Sequence, residues 1–120
     1  MNGNRFVLDT NAVLYLLGGK IISTDIPEGE FFVSIITEME LLSYPQLSIS
    51  EEQTVKKFLS EITVIELSKE LTEETISLRK KYSLKLPDSI IVATALMLNA
   101  SLITKDKRLI RVPSLKTTVL

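Results

Sequence analysis

Phe6-Val7-Leu8-Asp9-Thr10-Asn11 is the stretch whose reading decides the fold. Phe6, Val7 and Leu8 suit a buried strand, and Ala12 to Leu17 reads as a helix. The junction therefore joins a strand's C-terminal end to a helix N-terminus. Asp, Thr and Asn all cap helices, because a short side-chain oxygen accepts an orphan backbone N–H. One cap suffices, and three polar residues in a row exceed that need. In open α/β sheets, ligands bind beyond the carboxyl ends of the strands. Asp9 is thus either a turn residue or a ligand-holding one, and the other acids decide between these.

Working outward, the 120 residues fit a single domain spanning 1–120. Hydrophobic residues make up 45%, as in globular folds and unlike disordered chains. The net charge of -1 gives no overall attraction for polyanions, so nucleic-acid contact needs a local basic patch or bound metal. Cysteine is absent, which excludes disulfides, a thiolate nucleophile and Cys–zinc sites. Histidine is absent too, which excludes Ser–His, Cys–His and His acid–base chemistry. Only oxygen ligands remain, and these favour Mg²⁺ or Mn²⁺. The polar start Met1-Asn2-Gly3-Asn4-Arg5, with the next apolar run broken by Asp9, is not a signal peptide. No apolar run approaches the ~18 residues of a membrane span, so a soluble, cytoplasmic protein is expected.

Gly18-Gly19 ends the first helix, and a loop runs from Ile21 to Gly29. Phe31 to Ser34 reads as a second strand, continuously apolar as parallel central strands are. Thr37 to Leu42 reads as a helix, closed by Tyr44-Pro45. Ser50 caps the next helix, with Val55, Phe58, Leu59 and Ile62 as its apolar stripe. Thr63 to Leu67 is a third strand. Thr72 starts a helix to Tyr82 with Ile76, Leu78 and Tyr82 inward. Pro87-Asp88 opens a helix that is apolar nearly all round from Ile90 to Leu98, hence central. Ser101 to Thr104 is a fourth strand, and Val119-Leu120 a short fifth. Such alternation predicts a three-layer α/β/α sandwich around a parallel sheet of four or five strands with right-handed crossovers.

Asp occurs only at positions 9, 25, 88 and 106. Asp25 has no strand leading into it. Asp9 ends the first strand, Asp106 follows the fourth, and Asp88 lies in the first turn of the most apolar helix. Each has a bland alternative: a cap, a turn, or compensation of a helix dipole worth ~0.3–1 kcal/mol. Glu40 shares a helical face with Ile36 and is flanked by Met39, Leu41 and Leu42, whereas Glu38 is expected to face solvent. An acid turned toward apolar surroundings needs a partner, either a cation or a nearby Lys or Arg. Together the four acids can meet at one sheet edge, where unneutralised they would repel and raise their own pKa values. One or two Mg²⁺ or Mn²⁺ ions would balance that charge.

At these residues the chain resembles the PIN domain family, in particular the VapC-like ribonuclease toxins of type II toxin–antitoxin pairs. The opening motif is similar to Leu8-Asp9-Thr10-Asn11. The second is similar to Ser34 through Leu42, where Thr37 precedes the ligand glutamate by three positions and so selects Glu40 over Glu38. Leu86 through Ala95 and Leu102 through Leu109 resemble the third and fourth. Each motif alone is weak, but four in order span nearly the whole chain. The resemblance implies a Mg²⁺/Mn²⁺-dependent endoribonuclease, often dimeric, held inactive by an antitoxin. Ser43-Tyr44-Pro45 departs from the small glycine-containing turn of many relatives, at the groove rim.

That resemblance makes Asp9, Glu40, Asp88 and Asp106 the expected catalytic metal ligands, with Asp9 central. Thr10, Asn11, Thr37 and Thr104 would orient carboxylates or waters, with simple capping the alternative for each. Lys105, Lys107 and Arg108 adjoin Asp106 and could contact RNA phosphate; Arg79-Lys80-Lys81 with Lys85 reads as a solvated face. Rival readings are an RNA-processing nuclease outside a toxin system and a non-catalytic PIN-like binding module. A haloacid-dehalogenase-like phosphatase would want Asp at position 11, where Asn stands, and no G-x-G-x-x-G marks a dinucleotide site.

Overall fold

The computed structural model describes residues 4–19 and 26–119. Most of the expected loop from Ile21, Asp25 within it, Met1 to Gly3, and Leu120 of the expected fifth strand lie outside the described residues. Along the chain the elements are β1 (Arg5–Leu8), α1 (Thr10–Leu17), β2 (Glu30–Ser34), α2 (Ile35–Leu42) and α3 (Ile49–Ser60). Then come β3 (Thr63–Ile65), α4 (Lys69–Tyr82), α5 (Leu86–Leu98), β4 (Ser101–Thr104), α6 (Lys107–Ile110) and β5 (Lys116–Val119). The five strands pair in the order β3-β2-β1-β4-β5, and every pairing is parallel.

Alternation along the strands divides the core between the two faces of the sheet. Val7, Phe32 and Leu102 face a cluster built with Leu71 and Leu78 of α4 and Ile91 and Val92 of α5. Phe6, Leu8, Val33 and Ile103 face a second cluster with Ala12 and Val13 of α1, Leu41 of α2 and Val55 of α3. The result is the expected α/β/α sandwich. α5 is buried continuously from Ser89 to Ala95. Thr94 does not disturb that run, because its hydroxyl donates to the Ile90 carbonyl at 2.7 Å. Among the described residues, no helix is long and apolar enough to cross a membrane.

Several local expectations change. The cap of α3 is Ser48 rather than Ser50, and Ser48 and Glu51 close a reciprocal capping box. α4 starts at Lys69 under a Ser68 cap, three residues before Thr72. Ile76 is 53% exposed instead of inward, whereas Leu78 is buried. The third strand stops at Ile65, and a single helical turn, α6, follows β4 where the sequence reading has none. Gly19 takes φ +77, the left-handed value that ends α1 without Cβ strain.

The order in which strands are added reverses at β1. From β1 the chain adds β2 and β3 on one side, then crosses to add β4 and β5 on the other. The carboxyl ends of β1 and β4 therefore flank a switch point, the crevice where α/β folds bind ligands.

Candidate active site

Asp9 follows β1 directly and caps α1, its Oδ1 accepting from the Ala12 N–H at 2.8 Å. It is only 6% exposed. Burial pushes its carboxyl above the usual range; hydrogen bonds from the Thr104 hydroxyl and the Ala12 N–H pull it back, and the charges of Asp106 and Asp88 add to the rise. Asp88 stands in the first turn of α5, half-buried. Its carboxyl is also pushed up, first by burial and then by Asp106, with Glu40 adding and Arg108 and Lys85 opposing.

Glu40 on α2 is held from β1's side of the cleft. Thr10, the first residue of α1, donates to Glu40 Oε1 at 2.6 Å, and its Oγ1 lies 3.0 Å from that of Thr37. A hydroxyl has one proton. Because Thr10 spends its proton on the carboxylate, the fully buried Thr37 must donate to Thr10. Thr37 does not line the cleft and reaches it only through this chain of bonds. Glu38 is half-buried and outside the cleft lining; the solvent-facing residue of that turn is Met39, 56% exposed.

Asp106 caps α6 and is the best satisfied of the acids. Its backbone N–H donates to Thr104 Oγ1 at 2.9 Å. Its Oδ1 accepts from the Arg108 N–H at 2.9 Å and from Arg108 Nε at 3.1 Å, and its Oδ2 from the guanidinium at 2.8 Å. Hydrogen bonding by the Arg108 side chain holds this carboxyl below the usual carboxylate range, in spite of partial burial.

Asp9, Glu40, Asp88 and Asp106 thus line one cleft of about 310 Å³, together with Thr10, Asn11, Ser43, Tyr44 and Ile91. Ser43 and Tyr44 form the rim at which the sequence departs from the usual turn. Ile91 supplies an apolar wall that its place in a core helix disguised in the sequence. Lys85 is exposed, and its charge acts on both Asp88 and Asp106. The Lys105 Nζ lies over the Tyr15 ring, 4.6 Å from its centroid. Lys107 is exposed.

The donor set suits a hard cation. All four acids offer oxygen only, and at Asp9 and Asp88 burial first and neighbouring carboxylates second disfavour the charged form. As they stand, no three acidic side chains among the described residues form a ligating group. Asp106 remains engaged with Arg108.

Fold and cleft define an α/β/α protein with carboxylates gathered at the switch point of a parallel sheet. The PIN domain family matches residues 6–115, so the chain belongs to the PIN domain family, a family of nucleases. No curated protein matches the chain. Among solved structures it is similar to a toxin–antitoxin complex from Klebsiella pneumoniae, at 32% identity and TM-score 0.77, covering 95% of this chain and 94% of that one. VapBC-1 from nontypeable Haemophilus influenzae matches at 25% identity and TM-score 0.75, covering 96% and 97%. VapBC2 from Rickettsia felis, bound to a DNA fragment from its promoter, shares the fold at TM-score 0.83 and 22% identity, covering 97% and 98%.

Proposed function

We propose that the chain is a Mg²⁺- or Mn²⁺-dependent endoribonuclease and the toxin of a toxin–antitoxin pair. The observation that carries this reading is the meeting of four carboxylates, from four separate elements, in one cleft at the sheet's switch point. Asp9, Glu40, Asp88 and Asp106 would hold the cation. A cation held there would supply a water of lowered pKa and positive charge beside the scissile phosphate.

The chain's own groups prepare that site. The Ala12 N–H and the Thr104 hydroxyl hold the Asp9 carboxylate in place. Thr10, backed by Thr37, fixes one oxygen of Glu40. Arg108 and Lys85 bring positive charge within influence of Asp88 and Asp106, which suits a phosphate backbone crossing the cleft.

Complexes with antitoxins among the structural neighbours support a protein partner, as does exposed apolar surface. Leu16 of α1, with Phe31, Phe58 and Ile62, lines an open apolar groove, and on the α2–α3 side Met39, Tyr44 and Ile49 are 56%, 44% and 81% exposed, while Val13 is buried. A homodimer belongs to the same reading.

The test is incubation of the purified chain with mixed RNAs. Cleavage with Mg²⁺ or Mn²⁺ that stops with EDTA and in Asp9→Asn supports the proposal. Cleavage indifferent to EDTA removes the metal mechanism, and none under any condition favours the non-catalytic module.

A further inference from the structure

Asp106 differs from the other three acids in already possessing a counter-ion. Arg108 grips it through two side-chain bonds, 3.1 and 2.8 Å, while the Arg108 backbone N–H caps Oδ1 separately. The two grips differ in permanence. The backbone bond belongs to the α6 turn and persists whatever the side chain does. The guanidinium is 59% exposed, and an exposed ion pair is weakly held. Three donors leave this carboxylate about one acceptor site of its roughly four. A cation of higher charge density can therefore engage Asp106 fully only by displacing the fork.

We infer that Arg108 is an internal counter-ion that occupies Asp106 in the cation-free protein and yields that carboxylate to a divalent ion. The inference rests on the metal-binding reading above and goes beyond it. Displacement leaves Oδ1 capped, frees Oδ2, and releases a guanidinium beside Asp88, whose charge it already moderates. Arg108 thereby sets how readily the cleft loads, and the released fork has the geometry for a phosphate oxygen pair.

Mn²⁺ binding to the full chain, followed by the EPR signal of the free ion, tests this without reference to cleavage. Arg108→Gln should bind Mn²⁺ roughly two- to fivefold more tightly than wild type, the size expected for removing an exposed competing pair. Arg108→Lys keeps the charge but loses the fork, and should fall between them. On an Asp106→Asn background, the gain from Arg108→Gln should shrink by more than half. In wild type, the Arg108 Nε–H resonance should move toward its solvated position as Mg²⁺ saturates. Equal Mn²⁺ binding by wild type and Arg108→Gln, or an unmoved Nε–H resonance at saturation, overturns the inference alone. A folded wild-type chain that binds no Mn²⁺ overturns both the inference and the nuclease reading.

Discussion

Asp9 carries the sharpest contrast between capping and metal binding. Burial and the Asp106 and Asp88 charges raise its folded pKa above the unfolded value. The stability contributed by such a group is complete below the unfolded pKa and is lost as pH rises through the folded one. Cation-free wild type therefore weakens as pH climbs through and just above the carboxylate range, and Asp9→Asn escapes that loss. Asn caps almost as well as Asp. At neutral pH in EDTA, Asp9→Asn should unfold at the wild-type temperature or higher, yet gain much less from Mn²⁺. Thermal unfolding with and without Mn²⁺ checks this, and equal gains would remove Asp9 from the metal site. Thr10→Val should cost about 1–3 kcal/mol, because the Thr37 hydroxyl is left buried with no acceptor. Urea unfolding measures it. The acids were legible in the sequence because each sits where an element starts, ends or turns a face inward. The Thr37–Thr10–Glu40 direction was not, since it depends on a 3.0 Å approach between helices 27 residues apart in sequence.

Helix and strand existence was largely readable from periodicity, and boundaries were set by capping chemistry that several nearby serines offer equally. Ser48 and Ser50 both precede acids at plausible spacing. Only Ser48 places Glu51 at the third helical position, where its side chain returns to the Ser48 N–H at 2.9 Å. Ser48→Ala should accordingly cost roughly 0.5–1 kcal/mol and lower the melting temperature by a few degrees, whereas Ser50→Ala should cost less than about 0.5 kcal/mol. Parallel melts of the two variants check the assignment. The inward expectation for Ile76 failed for a related reason. α4 covers its side of the sheet with Leu71, Thr75 and Leu78, and residue 76 lies about 100° around the helix from 75. The polar Thr75 takes the inward place because its hydroxyl is satisfied by the Leu71 carbonyl at 2.8 Å. Sequence periodicity counts apolar residues and passes over such a threonine.

At the scale of the whole molecule, alternation of strands and helices implied the sandwich and the parallel sheet, whereas strand order required the register of distant pairings. Which apolar side chains stay uncovered likewise depends on the packed structure. Ala12 and Val13 are spent on the core, Leu16 lines an open apolar groove, and Met39, Tyr44 and Ile49 stand exposed where α2 turns into α3. Light scattering on the purified chain should report a dimer, and Met39→Lys with Ile49→Lys should shift it toward monomer or abolish antitoxin capture while leaving the monomer folded. A monomer at all concentrations that also binds no antitoxin would contradict the partner reading.

The crossing of the sheet at β1 has a consequence for the order in which a ribosome delivers the pieces. β1 is made first and pairs with β2, whose Glu30 stands opposite Arg5, but its other edge waits for β4, residues 101–104. Until then a nascent chain presents one bare edge of its central strand, the kind of surface that invites pairing with a neighbour. Asp106 emerges only after the strand that closes that edge. The cleft therefore lacks its last acid until β4 and the turn that follows it have been made.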